Sequence, residues 1–195
     1  MPAPPKRRLP AVFLDRDGVL NADGGYLYRL EDLHLLSGVP AALTELKKRG
    51  FLLVVVSNQS GVARGYFTTA DVDAFNQELA RVVAAAGGPA LDAFYYCPHL
   101  PNGSVAAYSH ACDCRKPAPG LILAAAAQLP IDLTCSYMIG DKPSDVACAL
   151  AAGVKAIQIA KTDTPAHPGA LAYVASLADA LPYILLPGTS APPKK

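Results

Sequence analysis

The run "FLLVVVS" at residues 51–57 constrains the fold more than any other stretch of this chain. A strand with one wet face alternates apolar and polar residues, but this run carries no polar side chain until Ser57. Both of its faces must therefore be covered, and helices packed on both sides of a parallel sheet are the usual cover. The chain supplies them. "VPAALTELKKRG" (39–50) reads as a helix closed by Gly50, with basic residues in its last turn. "TTADVDAFNQELARVVAAAGG" (68–88) opens on a Thr68/Asp71 capping box and ends at Gly87 and Gly88. "APGLILAAAAQL" (118–129), with Pro119 near its start, and "SDVACALAAG" (144–153) are two more helices.

Between the helices lie further apolar runs. "AVFLD" (11–15), "AFYYC" (93–97), "CSYMIGD" (135–141) and "VKAIQIA" (154–160) read as strands, "LAYVAS" (171–176) as an edge strand, and "LADALPYIL" (177–185) as a terminal helical turn or two. The alternation predicts an α/β fold, a Rossmann-like parallel sheet with helices on both faces, forming one domain over residues 1–186. Residues 187–195 are rich in Pro and Lys and are expected to be a disordered tail. With 17 basic against 16 acidic residues the net charge is +1, which gives no pull toward nucleic acid or membrane. No apolar run reaches transmembrane length, and the four apolar residues before Asp15 are too few for a signal-peptide core. The expectation is a cytoplasmic monomer acting on a small molecule.

Ligands of parallel sheets gather beyond the carboxyl ends of the strands. Three of these strands end in polar residues: Asp15 with Asp17, Ser57 with Asn58, and Gly140 with Asp141. Asp15, Asp17 and Asp141 brought to one edge would repel one another unless a cation sat among them, and hard oxygen ligands select Mg²⁺. A carboxylate beside Mg²⁺ and a phosphate can act as a nucleophile, and a second carboxyl two residues on can protonate the leaving oxygen and then activate water. Gly18 allows the tight turn that brings backbone N–H groups near a phosphate. Ser57 and Asn58 can donate hydrogen bonds to phosphoryl oxygens. In "CDCRKPAPG", Lys116 can neutralise charge on a transferring phosphoryl group, and Arg115 offers a fork for a second anion.

These pieces in this order resemble the haloacid dehalogenase superfamily of phosphatases. The resemblance implies Asp15 as nucleophile and Asp17 as acid/base, with Ser57 and Lys116 steadying the phosphoryl group. It also implies Mg²⁺ held by Asp15, the Asp17 backbone carbonyl and Asp141. Asp145 would orient the lysine or the metal's waters.

The five cysteines stand at 97, 112, 114, 135 and 148. Their odd count and the clustering of three in one loop argue for metal over disulfides. Cys97, His99, Cys112 and Cys114 form a C-x-H…C-x-C set apt for tetrahedral Zn²⁺, and four protein ligands make such a site structural. His110 has no paired spacing and is expected to be exposed. Cys135 and Cys148 lie in apolar surroundings and are expected to be small buried side chains.

The blocks "DRDGVLN", "DGGY", "SNQSG", "ARG", "YYCPH" and "CDCRKP" resemble the D,D-heptose 1,7-bisphosphate phosphatase family, with the histidinol-phosphatase group as its relative. That likeness implies removal of the C7 phosphate of a heptose bisphosphate, or alternatively hydrolysis of histidinol phosphate. The expected substrate contacts are Asp23, Gly24, Gly25, Tyr26, Ser57, Asn58, Gln59, Ser60, Arg115, Lys116 and Lys142. The intervals between Asp15, Ser57 and Lys116 leave no room for a cap domain, so an open site is expected. Two rivals are a zinc-ribbon module on nucleic acid and a catalytically dead phosphate binder. Charge balance argues against the first, and intact Asp15 and Asp17 against the second.

Overall fold

The computed structural model describes residues 7–186, so the reading of 187–195 as a tail lies outside the described residues. The apolar runs form strands β1 (Ala11–Leu14), β2 (Leu52–Asn58), β3 (Ala93–Cys97), β4 (Tyr137–Gly140), β5 (Lys155–Ile159) and β6 (Ala172–Val174). They pair in the order β3-β2-β1-β4-β5-β6, and every pairing is parallel. Helices α1 (Val39–Lys48), α2 (Thr69–Ala85), α3 (Gly120–Gln128), α4 (Pro143–Ala151) and α5 (Leu177–Leu185) connect or follow them.

The continuous apolar run behaves as its composition requires. Leu53 and Val55 enter one core with α1, α2 and α5 residues such as Leu43, Leu79 and Leu177. Val54 and Val56 enter the other, with Ile122 and Ala125 of α3 and Val146 of α4. Each fully buried leucine or valine contributes about 1.5–3 kcal/mol, so covering both faces stabilises β2 and its neighbours as the rigid centre of the molecule. At the start of α2 the capping box forms as expected: Thr68 Oγ1 accepts from Asp71 N at 3.2 Å, and Asp71 Oδ2 accepts from Thr68 N at 2.7 Å.

Register fixes the site. Leu14 pairs with Val55 on one side and Ile139 on the other. Consequently Asp15, just past β1, stands at the carboxyl edge beside the ends of β2, with Ser57, and of β4, with Gly140 and then Asp141. Between β1 and α1 lies only a loop with one short 3₁₀ turn, Leu30–Asp32. The longer connection from β3 to α3 carries the cysteine cluster.

Two expectations need correction. Cys135 is exposed, not buried; only Cys148 is. The chain at Leu133–Cys135 is a 3₁₀ turn begun by Asp132, whose side chain accepts from Thr134 N, and β4 starts two residues later at Tyr137. Ser176 is not the end of the edge strand. Its hydroxyl accepts from Asp179 N at 3.3 Å and caps α5.

Candidate active site

Asp15 continues directly from β1, where its N–H donates to Ile139 O at 2.9 Å. Its Oδ1 accepts from its neighbour's N–H (Arg16) at 2.9 Å and from Lys116 Nζ at 2.8 Å. Lys116 also donates to Val56 O at 2.9 Å and stands 2.7 Å from Asp145 Oδ1. Burial pushes the pKa of this ammonium down, but Asp145 and Asp15 outweigh burial and hold it above the ordinary lysine value. Asp145 is itself fixed, because its Oδ2 accepts from Lys142 N at 3.0 Å at the start of α4. A side chain at Gly140 would fall onto the Asp145 carboxylate, so the close approach of strand tip and helix requires glycine there.

Asp141 completes the acidic group. One carboxylate oxygen from each of Asp15, Asp141 and Asp145 lies within 4.8 Å of the other two. Asp141 is fully buried, its Oδ1 has no hydrogen-bond partner among the described residues, and its Oδ2 makes only an ion pair with Lys161. Burial pushes the Asp141 carboxyl up, and a cation seated against it would reverse that shift. A buried, unpartnered carboxylate oxygen among other carboxylates fits a hard divalent cation such as Mg²⁺. Gly18 lies against this group with φ +85°, and a Cβ there would meet Asp141 Oδ2.

Asp17 is oriented by the residue beside it. Arg16 Nε donates to Asp17 Oδ1 and Nη2 to Asp17 Oδ2, both at 3.0 Å. The guanidinium is fully buried, 4.4 Å above the Phe75 ring, and also donates to Asn76 Oδ1 at 3.3 Å and Leu27 O at 3.1 Å. Gln59 Nε2 reaches Asp17 Oδ2 at 3.4 Å and the Ser57 hydroxyl at 3.3 Å.

The second strand tip does two jobs. Ser57 is buried beside Asp15's strand, whereas the Asn58 amide is engaged with the backbone of Lys116: Nδ2 donates to Lys116 O and Oδ1 accepts from Lys116 N, each at 3.0 Å. Asn58 therefore positions Lys116. A cleft of ≈ 660 Å³ opens over these residues, lined among others by Asp17, Asp23, Gly25, Tyr26, Asn58, Gln59, Ser60, Arg115, Lys116 and Lys142. Gly24 lines an adjoining, shallower depression instead, and Asp15, Ser57 and Asp141 are not on the cleft's lining. Asp23 pairs with Lys161 at 3.0 Å and Lys142 at 3.4 Å.

The cysteine loop starts at the same edge, since Cys97 ends β3 opposite Asn58. Cys97 Sγ is 3.5 Å from Cys112 Sγ and 3.7 Å from His99 Nδ1; Cys114 Sγ is 3.3 Å from both Cys112 Sγ and His99 Nδ1. A tetrahedron with metal–sulfur bonds of about 2.3 Å has edges of about 3.7 Å, so the four ligand atoms fit one Zn²⁺. Burial pushes the Cys97 thiol up, which a bound cation would reverse. His110 is exposed, its ring centroid 4.3 Å from that of His99. Arg115, next to the last cysteine, donates from Nη1 to His99 O at 3.2 Å.

Arg16 and Lys161 had no role in the sequence reading. Arg16 stands inside the quoted motif, and a charged residue between two aspartates at a strand tip is a readable counter-charge. Lys161 follows β5 at the same sheet edge, so the strand-tip rule that found Asp141 also applies to it.

Residues 113–180 match the HAD-hydrolase-like family model, which agrees with the parallel sheet and its acidic strand tips. The chain is 46% identical over 164 residues to the D-glycero-beta-D-manno-heptose-1,7-bisphosphate 7-phosphatase of Escherichia coli (strain K12), covering 84% of this chain and 85% of that protein. To the protein of the same name from Photorhabdus laumondii it is 45% identical over 177 residues, covering 88% and 93%. The crystal structure of D,D-heptose 1,7-bisphosphate phosphatase from B. bronchiseptica, complexed with magnesium and phosphate, has a TM-score of 0.76 at 30% identity, covering 91% of this chain and 98% of that one. The chain belongs to the D-glycero-beta-D-manno-heptose-1,7-bisphosphate 7-phosphatase family of HAD-like phosphatases. No helix among the described residues is long and apolar enough to cross a membrane.

Proposed function

We propose that this protein removes the C7 phosphate of D-glycero-D-manno-heptose 1,7-bisphosphate through an aspartyl-phosphate on Asp15. The observation that carries the reading is Asp15 at the central strand tip, within 2.8 Å of a buried lysine and grouped with Asp141 and Asp145. The names of the relatives supply the substrate.

The Asp15 carboxylate attacks phosphorus and the P–O bond to C7 breaks. Asp17, oriented by Arg16, gives its proton to the departing sugar oxygen. As a carboxylate it then takes a proton from water, whose oxygen attacks the phosphorus; the bond to Asp15 breaks and inorganic phosphate leaves. Lys116 offsets negative charge on the transferring group, and Asn58 and Asp145 hold Lys116 in place. Ser57, buried behind Gln59, would steady the phosphoryl group, and Gln59 and Ser60 line the approach to it; Asp23, Gly25, Tyr26 and Lys142 line the cleft where the sugar end would lie, with Gly24 in the adjoining depression. Mg²⁺ would be held by Asp15, the Asp17 carbonyl and Asp141, and supplies charge neutralisation for the phosphate. The chemistry of three thiols and one imidazole supports a structural Zn²⁺ that rigidifies the loop delivering Arg115 and Lys116.

Arg115 suits the substrate's second phosphate, because an arginine there would repel the cationic amine of histidinol phosphate. The test is Mg²⁺-dependent phosphate release from both anomers of the heptose bisphosphate and from histidinol phosphate, side by side. Preference for either bisphosphate anomer is expected. Preference for histidinol phosphate overturns the substrate assignment, and no release from any of the three overturns the phosphatase reading.

A further inference from the structure

Among the described residues Asp141 makes one ion pair, with the ammonium of Lys161, which reaches in from the turn after β5. The same Nζ lies 3.0 Å from Asp23 Oδ2, so one lysine spans a buried strand-tip carboxylate and a carboxylate on the cleft wall. It also abuts the glycine turn of the first motif: a Cβ on Gly18 would lie 2.6 Å from Lys161 Nζ. The turn that presents Lys161 is anchored. Lys161 and Thr164 form a β-bridge, Tyr173 Oη donates to Thr164 O at 2.9 Å, and the buried Gln158 side chain donates to Pro165 O at 3.0 Å and accepts from His167 N at 2.8 Å. Of the neighbouring cations, Lys116 is committed to Asp15 and Asp145 and Arg16 to Asp17, while Lys142 pairs with Asp23 at 3.4 Å and acts on Asp141 without an ion-pair contact.

We infer that Lys161 is a built-in electrostatic competitor for Mg²⁺: it neutralises Asp141 in the metal-free protein and opposes the metal's arrival, with Asp23 drawing the ammonium away from the site. This rests on the reading of Asp141 as a metal ligand. Asp141 can keep the ammonium at Oδ2 and still offer Oδ1 to a metal, but an ammonium and a divalent cation on one buried carboxylate repel each other in a weakly screened site, so Lys161 weakens metal binding there. Asp23 is placed to hold the ammonium as the metal binds, because Lys161 already touches it. Metal affinity is thereby set by Lys161 as well as by the ligands, and metal occupancy is coupled to the Asp23 segment that lines the cleft.

The inference predicts the sign of a binding change. MgCl₂ is titrated into the full chain without substrate and followed by amide NMR shifts. K161M is expected to bind Mg²⁺ about tenfold more tightly, equivalent to about 1.4 kcal/mol. K161R, which keeps the charge, is expected to bind no more tightly than wild type. Without metal, K161M is expected to melt at a lower temperature than wild type, because Asp141 loses its counter-charge, and added Mg²⁺ to raise its midpoint more than it raises the wild type's. Should K161M not fold, K161Q serves in its place. Unchanged or weaker binding in the neutral variant overturns the inference alone, as does equal tightening in K161R. No Mg²⁺ response in any of the proteins overturns the reading of Asp141 as a ligand and the inference with it.

Discussion

Between the two aspartates of the first strand tip, the Arg16 guanidinium serves Asp17 twice, Asn76 and Leu27 once each, and rests on the Phe75 ring. Lysine could replace its charge but not its planar fork. Breaking a buried ion pair by removing one partner costs about 3–5 kcal/mol, and because the Asp17 side chain is 13% exposed, R16M should lie near the lower end of that range. Urea denaturation measures it; a loss under about 1 kcal/mol, the size of an exposed pair, would contradict the structural account of Arg16. R16K should lose less stability but still impair turnover, because Asp17 is no longer held from two sides. Wild-type turnover in R16K would show that the two-sided grip is dispensable.

At the scale of elements, the cysteine loop and β2 act as one unit. Cys97 pairs with Asn58, and Asn58 clasps the backbone of Lys116, so the loop leaves the sheet and returns to it at the same tip. Protein purified without chelator should carry about one zinc per chain by metal analysis. C112S should lose that zinc, lower the melting temperature and reduce turnover by loosening Arg115 and Lys116. Zinc-free protein with full activity would contradict the structural role. Most elements are readable in the sequence, because each strand is an apolar run, α2 opens on its capping box, and α1 and α4 stop at Gly50 and Gly153; α3 has neither a side-chain cap nor a glycine stop. What local sequence does not carry is which side chains meet across the sheet edge. Asp23 and Lys161 are 138 residues apart and touch only because β1 and β5 flank β4. Cys135 was misread because an apolar neighbourhood does not distinguish a strand from the 3₁₀ turn that leads into it. Ser57 and Asn58 looked alike as strand-end donors, and only the fold turns Asn58 toward a backbone rather than a ligand.

For the molecule as a whole, the sheet supplies the edge and the loops line the cleft above it. Arg115, tied to His99 O by one of its nitrogens, lines the cleft at the end of the cysteine loop. R115A should reduce kcat/KM for the bisphosphate by about 1.5–3 kcal/mol more than for a simple monophosphate, the worth of a charged hydrogen bond. Equal losses on both substrates would assign Arg115 to the transferring phosphate or to the loop. The central claim is that a strand-tip carboxylate becomes phosphorylated, and it is tested most directly by phosphate release from the heptose bisphosphate by D15N. Asparagine keeps the size of Asp15 and much of its hydrogen bonding but cannot form the acyl phosphate. With fold and zinc content unchanged, turnover is expected to fall at least about a thousandfold, as when other enzymes lose a nucleophile. A D15N protein turning over at near the wild-type rate would contradict the covalent mechanism.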